Sequence, residues 1–145
     1  MTPAAPAGFA GWVDASAADI SQAGQAALIV GSRPDIIFHL AAIVSAEAEL
    51  DFEKGYGINL EGTRALFEAI RLAHLQDGYR PCVVFTSSIA VFGAPMPDVI
   101  PDDFNLTPLT SYGTQKAIGE LLLADYTRRG FIDGVGIRLP TICVR

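Results

Sequence analysis

The sequence predicts an α/β fold built on a doubly wound parallel sheet, and three observations predict it. Runs at residues 35–41 (Asp-Ile-Ile-Phe-His-Leu-Ala), 82–87 (Cys-Val-Val-Phe-Thr-Ser) and 134–139 (Gly-Val-Gly-Ile-Arg-Leu) are short and nearly continuously apolar. Such strands suit a parallel sheet covered on both faces. Helical patterns fill the gaps between them, giving strand–helix alternation. Finally, the stretch from Ser88 to Leu109 is long for a simple connection and starts at the carboxyl end of a strand, where such sheets place their ligands.

The elements follow in order. Residues 12–18 are predicted as a weak strand, and residues 19–32 as a helix ending before Pro34. A long helix is predicted over residues 50–76. Within it Ile58, Ala65, Leu66, Ala69, Ile70 and Ala73 recur at helical spacing, and Asp77-Gly78 closes it. Thr110 is a predicted N-cap for a helix reaching Arg129, with Gly130 just past its end and Ala117, Leu121 and Ala124 as its core face. Neither repeats nor a low-complexity linker interrupts the pattern, so residues 1–145 read as one domain.

Composition narrows the function classes. Half of the 145 residues are hydrophobic, as a packed globular chain requires. The net charge of −6 argues against nucleic acid or an anionic membrane as partner. It leaves room for an anionic small molecule held by one local Arg or Lys. No apolar run approaches the roughly 18 residues needed to span a bilayer. The first residues lack a Lys or Arg, and Trp12-Val13-Asp14 interrupts any apolar stretch, so no signal peptide is expected and the location is expected to be cytoplasmic. Cys82 and Cys143 lie far apart in apolar segments and read as reduced buried thiols, with no metal site.

Chemistry first shows at Tyr112-Gly-Thr-Gln-Lys116. Side chains at i and i+4 share one helix face. An ammonium near a phenol favours the phenolate, and such a phenol can take or give a proton at an alcohol or carbonyl. That is what moving a hydride between a C–H bond and a nicotinamide requires. Alone, Tyr and Lys four apart are often surface decoration. Ser88 strengthens the reading: it follows a strand and precedes Tyr112 by 24 positions (112 − 88). Its hydroxyl is suited to hydrogen-bond the same substrate oxygen. The plainer role for Ser87 and Ser88 is turn formation, which one of the two is expected to serve. The segment His39-Leu-Ala-Ala42 ends the preceding strand with small residues that let a flat cofactor approach the backbone. His39 itself reads as a packed, hydrogen-bonded core residue, and His74 likewise.

The ordered motifs His39-Leu-Ala-Ala, Asn59-Leu-Glu-Gly-Thr63, Thr86-Ser-Ser-x-x-Val-Phe-Gly93, Tyr112-x-x-x-Lys116 and Ile137-Arg-Leu-Pro140 resemble the extended short-chain dehydrogenase/reductase family, the NAD-dependent epimerase/dehydratases. The resemblance implies a Rossmann-type sheet and NAD as cofactor. It also implies a catalytic set of Ser88, Tyr112 and Lys116, with Tyr112 as acid/base and Lys116 on the nicotinamide ribose. By the same resemblance the cofactor lies against Asp19 and Ile20 at adenine, Leu40, Ala41 and Ala42 at ribose and pyrophosphate, Asn59 near the nicotinamide, and Leu139 and Pro140 along it. Residues 100–104, 107–126 and 138–145 resemble a subgroup that oxidises the C2 hydroxyl of a four-carbon sugar acid such as D-erythronate. Arg145 is then a candidate partner for the substrate carboxylate, with a structural ion pair as its plainer role. Phe92 stands where many nucleotide-sugar epimerases have Tyr.

The family's glycine-rich turn, which cradles a pyrophosphate at a helix N-terminus, is absent, and so is the acidic residue ending its second strand. The chain is therefore expected to be a partial domain, truncated at both ends, without the first two strands of the 3-2-1-4-5-6 sheet and without the C-terminal substrate domain. Residues 12–18 would be the third strand of that sheet, left to float free, detach with its helix, or pair with the fourth. Three functions stay open: a sugar-acid dehydrogenase, an NAD-dependent nucleotide-sugar epimerase or dehydratase, and a non-catalytic cofactor-sensing or partner-binding module. A homodimer is the assembly expected of the longer parent.

Overall fold

The three strong apolar runs form one parallel sheet. The computed structural model describes residue 8 and residues 10–140, and its strands are β1 (Ile36–His39), β2 (Cys82–Ser88) and β3 (Asp133–Leu139), in the order β1-β2-β3. This is the order expected of the fourth, fifth and sixth strands of the doubly wound sheet. Register sets Ile37 beside Val83 and Val83 beside Gly134. Further along, Ser87 lies beside Arg138 and Ser88 beside Leu139, so β2 and β3 end together.

The helices are α1 (Gln25–Gly31), α2 (Ser45–Leu50), α3 (Phe52–Gly55), α4 (Gly62–Asp77) and α5 (Ser111–Arg128). A π-helical turn at Tyr56–Glu61 joins α3 to α4, and a 3₁₀ turn at Ile89–Val91 follows β2. Helices α1, α4 and α5 cover one sheet face. Val30, Leu66, Phe67, Ile70 and Leu123 pack there on Ile37, Val83 and Phe85. The Phe67 and Phe85 rings meet edge to face, centroids 6.5 Å apart, an arrangement their quadrupoles favour.

The strands had suggested cover on both faces, and the described residues give only one. Ile36, Phe38, Val135 and Ile137 project from the opposite face and are exposed, Phe38 to 65%. Among the described residues β1 pairs with β2 alone, so its outer edge is open.

Four sequence expectations are corrected. Residues 12–18 form no strand, and Trp12 is 84% exposed. The run is rich in Ala, Ser and Asp, which favour strands weakly, and it has no neighbour to complete a ladder. The first helix starts at Gln25 rather than Asp19. Asp19 instead folds a side-chain turn, accepting from the Ser21 amide at 3.0 Å and the Ser21 hydroxyl at 2.6 Å. The long helix starts at Phe52 rather than Leu50 and is π-helical at Tyr56–Glu61 before running on to Asp77: Asp51, extended at φ −127°, separates it from α2 and caps the Lys54 amide. Gly78, at φ 79°, ends α4 as expected. Finally, the core face of α5 is rotated from the expected one. Leu121 is 65% exposed, while Gly113, Gln115, Lys116, Ala117, Gly119 and Leu123 face inward.

Candidate active site

The cleft opens at the carboxyl ends of the strands, where parallel sheets leave backbone and loops free to meet ligands. Its volume is about 910 Å³. Ser88, Tyr112, Lys116, Leu40, Ala42, Leu139 and Pro140 all line it, seven residues singled out from the sequence. Asp19, Ile20, Ala41 and Asn59 do not. Ile20 packs on the start of α4, where a Cβ on Gly62 would stand 3.0 Å from its Cγ1. Arg145 and Cys143 lie outside the described residues.

Ser88 is the last residue of β2, and its Oγ accepts from the Ala90 amide at 3.2 Å, capping the 3₁₀ turn. Ser88 thus serves the turn and also lines the cleft, and its O–H has no acceptor among the described residues. Tyr112 sits in the first turn of α5, whose N-cap is Thr110 as expected: its side chain accepts from the Gly113 amide at 3.0 Å. Glu49 adds a second anchor by accepting from the Ser111 amide. Gly113 lets this turn approach the 3₁₀ turn after Ser88. A Cβ there would lie 2.2 Å from the Ala90 carbonyl oxygen.

Lys116 lies one helical turn beyond Tyr112 and is only 3% exposed. Its Nζ donates to the Thr86 carbonyl at 2.7 Å and stands 4.9 Å from the Phe85 ring centroid and 5.8 Å from that of Tyr112. Burial penalises the ammonium and lowers its pKa to about 8. His39 behaves as a packed core residue. Its pKa falls to about 4, through burial first and the Lys116 charge second. The Thr63 hydroxyl donates to the Asn59 carbonyl at 2.7 Å, so the His39 Nε2–H donates to Thr63 Oγ1 at 2.8 Å.

Asn59 is buried and holds the cleft wall from behind. Its Oδ1 accepts from the Ile43 amide at 2.8 Å, and its Nδ2 donates to the Ile43 carbonyl at 3.2 Å and to Gln115 Oε1 at 2.7 Å. Sequence reasoning missed Gln115, Thr86 and Glu49. Gln115 falls three residues after Tyr112, a spacing that puts it on the inward face, and that was its one available signal. Thr86 acts through its backbone carbonyl, which no side-chain pattern reveals. On the far side, Arg138 grips Glu120 with its Nε and Nη2, the latter at 2.8 Å, and lies over the Phe92 ring at 4.9 Å. This fixes the loop leaving β2. Among the described residues no three His, Cys, Asp or Glu side chains are placed to hold a metal, and no helix is long and apolar enough to cross a membrane.

A parallel sheet with this cleft and a Ser, Tyr and Lys at its mouth defines a class, and comparison with known proteins gives it. Residues 10–143 match the NAD dependent epimerase/dehydratase family, and the chain belongs to that family. It is 57% identical over 109 residues to the D-erythronate dehydrogenase of Cupriavidus necator, covering 75% of this chain and 32% of that one. A crystal structure described as the nucleoside-diphosphate-sugar epimerase from Agrobacterium tumefaciens is 72% identical with a TM-score of 0.96, covering all of this chain and 42% of that one. UDP-glucose 4-epimerase from Brucella ovis, solved in complex with NAD, is 30% identical with a TM-score of 0.72, over 83% of this chain and 36% of that one. The chain thus spans about a third of the length of the curated relative.

Proposed function

We propose that the protein carrying this chain is an NAD-dependent dehydrogenase that oxidises the C2 hydroxyl of a four-carbon sugar acid such as D-erythronate. The observation that carries the reading is the meeting of Ser88, Tyr112 and Lys116 in one cleft, in a chain 57% identical to a D-erythronate dehydrogenase. The nicotinamide end of a cofactor fits here. Leu40 and Ala42 offer an apolar wall, Leu139 and Pro140 the opposite one, and Lys116 a buried cation between them. The sequence holds no glycine-rich turn for the pyrophosphate, so these residues suit one end of the cofactor.

When bound, NAD supplies the acceptor for the hydrogen that leaves carbon with its electron pair. The residues of this chain handle the proton and the oxygen. Tyr112 takes the hydroxyl proton of the substrate. Ser88, its O–H uncommitted, donates to the same oxygen and holds it in place. Lys116, mostly charged at neutral pH, binds the ribose hydroxyls and keeps positive potential beside the phenol. A cytoplasmic location belongs to the same reading, and the net charge of −6 speaks against nucleic-acid or anionic-membrane partners.

A second reading has one specific support: the 72% identical structure is described as a nucleoside-diphosphate-sugar epimerase. A panel of sugar acids and UDP-sugars separates the two, read by NADH absorbance and product analysis. NADH formation with D-erythronate and no turnover of UDP-sugars is expected of the full-length protein. Activity on UDP-sugars alone would replace the dehydrogenase reading with the epimerase one.

A further inference from the structure

We infer that Gln115 is a positioning residue: through the amide of Asn59 it fixes the cleft wall at residues 40–44 relative to Lys116 and Tyr112. The inference rests on the functional reading above for the identity of the ligand, NAD. It rests on the geometry alone for the coupling itself.

Gln115 is fully buried, 0% exposed, in the same helical turn as Tyr112 and Lys116. Its Oε1 accepts one Nδ2 hydrogen of Asn59, and the Ile43 carbonyl accepts the other. With Oδ1 on the Ile43 amide, every polar atom of the Asn59 side chain is engaged. Gln115 thus adds a side-chain anchor to an Asn59 amide whose face the Ile43 backbone also sets, and Asn59 holds both backbone groups of Ile43. Two side-chain amides therefore join three elements: α5, the π-helical turn, and the loop after β1. Ile43 and Ala42 form one wall of the cleft, and Lys116 lies across from them.

Stability alone does not account for a glutamine here. Its Nε2 makes no hydrogen bond within the described residues, and a buried amide nitrogen left unpaired costs free energy. An apolar side chain of that size would avoid the cost. What the amide adds is a directed acceptor for Asn59. Gly55 on α3 makes room for it, since a Cβ there would lie 2.8 Å from Gln115 Nε2 and 3.3 Å from Ala48. The side chain is held between Gly55 and Asn59.

The test uses the full-length protein and three variants: Gln115→Leu, which removes the acceptor; Gln115→Glu, which keeps a carbonyl-type acceptor; and Gly55→Ala, which displaces the amide without deleting it. Two readouts are needed, hydrogen exchange of the segment 41–44 and the Kd for NAD by titration. Gln115→Leu is expected to lose protection in that segment selectively and to weaken NAD binding about tenfold, the factor one buried hydrogen bond is worth. Gln115→Glu is expected to recover most of both, and Gly55→Ala to show the same losses in smaller degree. Should Gln115→Leu fail to fold, Gly55→Ala carries the test. Unchanged protection at 41–44 overturns the inference. So do lost protection with an unchanged Kd, and a uniform rise in exchange across the whole domain, which is the signature of a merely structural role. If the wild-type protein fails to bind NAD, the functional reading falls, while the exchange arm still decides the coupling.

Discussion

Lys116 reaches across from α5 to the carbonyl of Thr86 on β2, a 2.7 Å hydrogen bond that fixes the ammonium two residues from Ser88 in the chain and one helical turn from Tyr112. The bond explains how a lysine tolerates near-complete burial. A charged group taken out of water needs a directed partner, and a backbone carbonyl at the end of a central strand supplies one without a counter-charge. The site keeps its cation at the expense of stability.

That expense depends on pH. The pKa of Lys116 is about 8 when folded, against 10.5 for a free lysine. Between these values the unfolded chain binds more protons, so stability rises with pH across the window. The penalty is fully present below pH 8 and gone above about 10.5. Lys116→Met should therefore be more stable than the wild type at pH 7, by about 1–3 kcal/mol. The gap should narrow as pH rises through the window. Urea unfolding of both proteins at a series of pH values checks this, and a gap that widens with pH would contradict the burial argument.

Tyr112→Phe removes one hydroxyl and little packing. In the full-length protein it should lower turnover of the sugar acid at least about a hundredfold while the Kd for NAD stays within a factor of about two. Lys116→Ala should damage both, because the same ammonium is assigned to ribose binding and to the potential beside the phenol. Near-normal turnover in Tyr112→Phe would show that the proton goes elsewhere.

Gly113→Ala probes the approach of α5 to the turn after Ser88. The added methyl would meet the Ala90 carbonyl oxygen at 2.2 Å, and neither backbone can yield without moving Ser88 or Tyr112. A loss of about 2 kcal/mol or more is expected, read as a lower denaturation midpoint. Thr114→Ala, one residue further on, removes a hydrogen bond to the Thr110 carbonyl and should cost less. Equal costs at the two positions would mean that the turns are less tightly opposed.

Sequence alone identified the sheet, since three apolar runs of strand length have few other places to go in an α/β chain. It also identified the cleft residues that lie on strand ends and at helix starts. Ser88, Leu139 and Tyr112 are placed by register and capping, which depend on local sequence. What stayed hidden depends on neighbours. Residues 12–18 read as a weak strand without its neighbours, and the sequence could not choose among the fates left open to it; the one observed is no ladder at all. Leu121 and Leu123 are both apolar, and only the packing of Gly119 on Phe85, where a Cβ would lie 2.6 Å from the ring, settles which of them turns inward. The Asn59–Gln115 pair spans 56 positions, and no local pattern announces a contact over that distance.

The last prediction concerns the 145-residue chain taken by itself: it should bind NAD weakly or not at all and should tend to associate. In the proposed reading, the nicotinamide end of the cofactor is assigned to Lys116, Tyr112 and the walls at Ala42 and Leu139. Asp19 and Ile20, the adenine contacts implied by the family resemblance, lie outside this cleft, and no glycine-rich turn anchors a pyrophosphate between them. The edge of β1 left open among the described residues offers unpaired backbone groups to any other strand. The sheet face carrying Ile36, Phe38, Val135 and Ile137 offers apolar surface beside it. Association through that face should grow with concentration in sedimentation runs and fall when Phe38→Lys places a charge there. Calorimetric titration with NAD reads the binding directly. A micromolar Kd, about −8 kcal/mol, would mean that the cleft between Ala42 and Leu139 holds the cofactor without a pyrophosphate cradle.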